Sequence, residues 1–203
     1  MLIRKLYKVE GAHIVRDCSS KRCSHSVHGH SAVIEVFFTS DKLDQGGMVL
    51  DFGLMKGTIN DFLDSFDHSL SIWNREKEEF INKQTQWSDR YIIMPVNPSA
   101  ENYALMFLYV ADKILGATQL NNGESDDIKI HSVRVHETDT GYAEAFRSDL
   151  SMVNFTLDDI KISDQVQAEY KDPNMWQSLK AYYQNTAANL KPFKNPVPEH
   201  YVM

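Results

Sequence analysis

Cysteine is nearly absent from this chain: Cys18 and Cys23 are the only two in 203 residues. Thiols this close in sequence make a poor disulfide framework for a domain of this size, so free thiols are the better reading and one of them is open to chemistry. Long hydrophobic runs are missing too. No stretch approaches the roughly 20 consecutive apolar residues of a membrane span, and the opening MLIRKLYKVEG lacks the apolar segment of a secretory signal. A soluble, cytoplasmic protein is expected. Basic residues are outnumbered, with 21 Lys and Arg against 28 Asp and Glu. A net charge of -7 excludes a general nucleic-acid binder, whose affinity rests on cations that neutralise phosphates. Internal repeats and low-complexity segments are also lacking.

What is present suffices for one core with an appendage, since 42% of the residues are apolar. Charge is uneven: residues 1–30 hold Arg4, Lys5, Lys8, Arg16, Lys21 and Arg22 against Glu10 and Asp17. That bias suits either a small anionic ligand or scattered, solvated cations. Residues 2–10 and 31–39 are rich in β-branched and aromatic types and predict two long antiparallel strands. After the turn at 44–47, Phe52, Met55, Ile59, Phe62, Leu63 and Phe66 recur at helical intervals, with Asp51 as N-cap and an end near Asp67. Segment 69–91 reads as polar and irregular, its NREKEE run a solvated face without chemistry, and IIMPV follows as a short apolar stretch. A second helix opens at Ser99 and carries Tyr103, Met106, Phe107, Val110 and Ile114 on one side as far as Gly116. The alternating segment 128–137 and YAEAF predict two more strands.

The expected fold class is therefore α+β, an antiparallel four-stranded sheet with two helices on one face, over residues 1–147. Residues 148–203 form a C-terminal extension with one helix near 173–190. Asp172-Pro173 opens that helix, and Met175, Trp176, Leu179, Tyr182 and Tyr183 share a side that packs back on the core or meets a partner. Pro192, Pro196 and Pro198 close the chain.

His28-Gly29-His30 stands at the mouth of the second strand, where residues i and i+2 project from one face. Two imidazoles so placed can share an ion, and His13 at the end of the first strand supplies a third if the strands pair. Catalytic zinc commonly takes three protein ligands and keeps one position open. The bland alternative is a set of surface histidines. Asp67 beside His68 would fix an imidazole tautomer for proton transfer, or else the pair is an exposed helix end. Cys23, near Lys21 and Arg22, is a candidate base or an inert buried thiol. Glu137, ending a strand, could accept two parallel hydrogen bonds from an amidine-like edge, though surface placement is the usual fate of such a residue.

Taken together, EGAHIV, Cys23 with HGHS, MVLDFG, FDHS, NPSAEN and VHETDTGYA occur in the order found in the 6-pyruvoyltetrahydropterin synthase and 6-carboxytetrahydropterin synthase family. The resemblance runs from about residue 2 to 147. It implies a tunnelling fold (T-fold), in which α+β subunits join their sheets into a barrel as trimers paired into hexamers, with the site shared between neighbours. It further implies Zn2+ on His13, His28 and His30, Cys23 as general base, Asp67 and His68 as the rest of the relay, and Glu137 as pterin anchor. Glu101 matches the pterin-pocket segment, where Ala100 replaces the family's threonine. Cys23 stands five residues before His28, between the spacings of the two branches, and the extra His25 is read as solvated. The compact HGHS and GMVLDFG segments resemble the bacterial branch more than the animal one. The expected reaction is conversion of 7,8-dihydroneopterin triphosphate to 6-carboxy-5,6,7,8-tetrahydropterin, with loss of acetaldehyde and triphosphate, on the route to queuosine. The alternatives are 6-pyruvoyltetrahydropterin formation and a non-catalytic, zinc-stabilised binding module.

Overall fold

The computed structural model describes residues 1–185 and 190–195. Strand β1 (Leu2–His13) alternates inward Ile3, Tyr7 and Val9 with exposed Arg4, Leu6 and Lys8, so one face meets the core and the other is exposed. After the short helix α1 (Lys21–His25), strand β2 (His28–Thr39) returns antiparallel along the whole length of β1, from Leu2 opposite Thr39 to His13 opposite His28. The expected single helix then breaks at Gly57 into α2 (Phe52–Lys56) and α3 (Thr58–Asp64). A Cβ at Gly57 would lie 3.1 Å from the Gly53 carbonyl oxygen, so the break needs glycine. Leu54, Met55, Ile59, Phe62 and Leu63 reach the core regardless, and Asp51 caps α2 by accepting from the Gly53 amide at 2.6 Å.

Segment 69–91 departs from the expectation of a structureless loop. It holds β3 (Ser69–Trp73), α4 (Glu78–Trp87) and the start of β4 (Tyr91–Met94). β3 runs parallel to β1, and β4 parallel to β3. A parallel pair requires a crossover, and α4 is that crossover. It buries no side chain fully, which is why its sequence reads as polar surface. Helix α5 (Ala100–Gly116) carries the expected apolar side, with Met106, Phe107, Val110 and Ile114 in the core, and Ser99 caps it. After β5 (Thr118–Gln119) come β6 (Lys129–Thr138), antiparallel to β2, and β7 (Gly141–Phe146), antiparallel to β6.

Beyond two short 3-10 turns, β8 (Lys161–Ile162) pairs antiparallel with β4. The sheet therefore has seven strands, ordered β7-β6-β2-β1-β3-β4-β8, and is mixed. The expected antiparallel four-stranded sheet is only its larger part, because five residues of SLSIW and two of the tail are too few to display a period. The tail likewise holds two helices where one was expected, α6 (Asp164–Ala168) and α7 (Met175–Gln184). Pro173 precedes α7 and does not start it. Asp172 closes a turn around the proline, its side chain accepting from the Asn174 amide at 2.9 Å and its carbonyl from the Met175 amide at 2.9 Å.

Trp176 is 1% exposed and stacks on Phe62 with ring centroids 5.9 Å apart. Met175 and Leu179 are buried beside it, so the stripe on α7 faces the core. A last strand, β9 (Phe193–Lys194), pairs with β5. The far end of the expected helix, 186–189, and Pro196 and Pro198 lie outside the described residues. Among the described residues no helix is long and apolar enough to cross a membrane.

Candidate metal centre and active site

The β1–β2 register decides the site. His13 lies opposite His28 and Gly11 opposite His30, and all three imidazoles project toward the helices, in step with Val9 and Ile34. Their donor atoms lie within 4.8 Å of one another. Ring centroids are 4.6 Å apart for His13 and His28 and 5.1 Å for each of the other pairs. Gly29 permits this closeness: a Cβ there would stand 3.0 Å from the Gly11 carbonyl oxygen.

The residues fit a divalent metal. His28 directs Nδ1 at the Ser26 carbonyl, 3.0 Å away, leaving Nε2 for a metal. His13, 3% exposed, is bonded to the backbone of Pro98, whose only polar group is its carbonyl, while its Nε2 is buried without a partner. Burial first, then the neighbouring His28 and His30, hold the His13 pKa down at about 4, so this ring is a neutral ligand at physiological pH. Glu137 Oε1 is also buried without a hydrogen bond, 3.4 Å from His13 Nε2 and 3.7 Å from His30 Nε2. Orphaned buried groups are costly in a native fold, and a cation among these atoms would satisfy them.

Above the histidines opens a narrow cleft of about 40 Å3. Ile34, Phe66, Tyr103 and Phe107 form apolar walls, and His13, His30 and Glu137 supply polar groups. Tyr103 lies nearly parallel to His13, with centroids 5.9 Å apart, and burial raises its hydroxyl pKa while Ser71 hydrogen-bonds it.

Asp67 and His68 stand elsewhere. His68 Nδ1 meets Asp67 Oδ2 at 2.7 Å, as an oriented acid-base pair requires. The Glu10 backbone grips the pair: its amide donates to Asp67 Oδ1 at 2.7 Å and its carbonyl accepts from the His68 amide at 2.6 Å. His68, 74% exposed at its side chain, borders a second cavity with Glu10, Ala12, Gly29, Ser31 and Leu70. Glu10, Ala12, Gly29 and Ser31 alternate with Gly11, His13 and His30 along their strands, so the cavity lies largely on the sheet face turned away from the helices, and Gly11 and His30 border it as well. His68 lies across the sheet from His13, while His30 borders both cavities.

Residues 2–148 match the family model described as 6-pyruvoyl tetrahydropterin synthase. The chain belongs to that family. A Helicobacter pylori protein named 6-carboxy-5,6,7,8-tetrahydropterin synthase is 46% identical over 155 residues, which cover 76% of this chain and 77% of its own. An Aquifex aeolicus protein of the same name is 30% identical over 139 residues, 66% of this chain and 82% of its own. Among solved structures, an uncharacterised Wolinella succinogenes protein aligns with a TM-score of 0.57 at 20% identity, covering 72% of this chain and 98% of its own. Caenorhabditis elegans 6-pyruvoyl tetrahydropterin synthase aligns at 0.50 and 18%, covering 72% and 94%. The two structural likenesses speak to the fold.

The other residues singled out by the synthase motifs are placed as follows. Cys23 is half-buried on α1, its carbonyl accepting from the Val15 amide at 3.0 Å, and it does not line the cleft. Glu101 is exposed on the first turn of α5 and lies outside the cleft lining, whereas Tyr103, two residues on, enters it. His25 is exposed, bonded to Ser24, and apart from the histidine cluster. Sequence reasoning read Tyr103 only as part of an apolar helix side and assigned nothing to Ser71 or Asn97. Asn97 bonds the Arg16 backbone both ways, at 3.1 and 2.5 Å, and so ties NPSAEN to the loop after His13. An asparagine opening that motif was the available signal.

Proposed function

We propose that this chain is a zinc-dependent lyase that converts 7,8-dihydroneopterin triphosphate and water to 6-carboxy-5,6,7,8-tetrahydropterin, releasing acetaldehyde and triphosphate on the route to queuosine. The observation that carries this reading is the three-imidazole cluster with its buried, orphaned His13 Nε2, set beside an aromatic cleft. The names of the relatives supply the choice of product. Three imidazoles with an open position suit zinc. The metal, when bound, would supply Lewis acidity toward the substrate's side-chain oxygens.

The chain's own residues do the rest. Tyr103 and Phe107 offer flat walls to a pterin ring, and Glu137 accepts N–H bonds from its amino and ring edge, which fixes orientation. Glu101 is assigned to the rim of the same pocket through its motif. Cys23 thiolate takes the side-chain carbon proton, and His68, oriented by Asp67, relays protons as the bonds rearrange. Because His68 lies across the sheet from its own His13, the pair serves the cleft of a neighbouring copy. That reading calls for a homo-oligomer, and the family resemblance implies a T-fold assembly of trimers paired into a hexamer.

Incubating metal-analysed protein with dihydroneopterin triphosphate and identifying the products tests the assignment. Acetaldehyde and the 6-carboxy product are expected in equal amounts, with zinc bound. Formation of 6-pyruvoyltetrahydropterin without acetaldehyde would overturn the product. Unchanged behaviour of Cys23→Ala and His68→Ala would overturn the mechanism in favour of a binding module.

A further inference from the structure

The turn that presents Asp67 and His68 is gripped on a second side by Arg90, just before β4. Its Nε donates to the Asp67 carbonyl at 3.0 Å and its Nη2 to the Asp64 carbonyl at 2.9 Å. These carbonyls lie at and beyond the C-terminal end of α3, where helical partners run out and a cation is favoured. The third arm of the guanidinium, Nη1, is ion-paired with Glu169, which caps the C-terminal end of α6. Glu169 is itself held by Gln165, whose Nε2 donates to Oε1 at 2.8 Å. His68 needs such support, because its φ of 49° is one that a residue other than glycine keeps only when its surroundings impose it. Glu169 lies beyond residue 148, outside the family match.

We propose that Arg90 is a positioning residue for the Asp67–His68 pair and that the C-terminal tail sets its aim through Glu169. The tail then tunes turnover without entering the cleft. This rests on the reading of the pair as the proton relay. A planar fork is required, since one ammonium cannot reach two carbonyls and a carboxylate in the same geometry.

The test uses the zinc-loaded full chain and the variants Glu169→Gln, Arg90→Lys and Arg90→Ala. Misaligning a relay acts on the chemical step, so Arg90→Ala should lower kcat by about 10- to 100-fold while KM stays within about twofold. Glu169→Gln should lower kcat roughly threefold, and Arg90→Lys should restore part of what Arg90→Ala loses. A second readout needs no turnover: in histidine-labelled protein, the His68 ring nitrogen signal should move in both Glu169→Gln and Arg90→Ala. Wild-type kcat and an unmoved His68 signal in these variants overturn the proposal. So does an equal fall of kcat, zinc content and Tm, the mark of a merely structural role. If the wild-type chain makes no product, the lyase reading falls, and the His68 signal alone decides whether Arg90 and Glu169 hold the turn.

Discussion

At the scale of single residues, the histidine cluster depends on how closely two strands approach at their ends. Gly29 sits between His28 and His30, and the Gly11 carbonyl fills the place a side chain would take, at 3.0 Å. In Gly29→Ala the strands must part where the imidazoles converge. A cost of about 1–3 kcal/mol is expected from the overpacking, together with loss of zinc out of proportion to the loss of fold. Zinc content and Tm measured on the same preparation check this; full zinc occupancy in a destabilised variant would refute it. The pairing of His28 with His30 was legible because a period of two is the simplest signal a strand gives, and His13 followed once β1 and β2 were paired. The cleft walls were not legible. Tyr103 belongs to a helix side on which apolar and functional aromatics look alike, and only tertiary packing directs its ring at His13. The alternation that joins the histidines also puts Glu10 and Ser31 on the other face, but the sequence does not say on which face the Asp67–His68 turn will lie.

At the scale of elements, the parts read most fully were those long enough to show a period, β1, β2, β6 and α5, and β7 and α7 were also anticipated. Those missed were brief or polar. β3 has five residues, β8 has two, and α4 exposes most of its surface because it only bridges parallel strands. The tail is the largest difference, since its helices complete a core that begins in α3. Trp176 lies against Phe62, and Tyr170 Oη bonds Ser65 Oγ at 2.7 Å. Trp176→Ala removes the largest fully buried side chain of the tail and should cost about 3–5 kcal/mol. The tail braces the turn carrying Asp67 and His68, so this variant should also lose kcat before it unfolds. Thermal denaturation followed alongside kcat at a temperature well below Tm measures both effects. A tail that merely hangs on the surface would give a drop in Tm near zero.

At the scale of the whole molecule, one chain separates what catalysis must join. The cleft lined by His13, His30 and Glu137 opens toward the helices, and His68 borders a second cavity that lies largely on the other face of the sheet and meets the first at His30. On the proposed reading, His68 serves the cleft of a second copy and not that of its own chain. Subunit mixing tests this. His28→Ala and His68→Ala are each expected to abolish turnover alone, by removing a ligand in one case and the relay in the other. When the two inactive proteins are dissociated, mixed and reassembled, some clefts acquire intact histidines from one chain and an intact pair from its neighbour, and those clefts should turn over. Recovery should follow the mixing ratio, peak near equal amounts, and vanish if the variants are mixed without dissociation. Activity that never returns under conditions where mixed oligomers are demonstrated would mean that each chain completes its own site. The fold would then have to bring His68 around the edge of β3, against the grip of the Glu10 backbone that holds it on the far side.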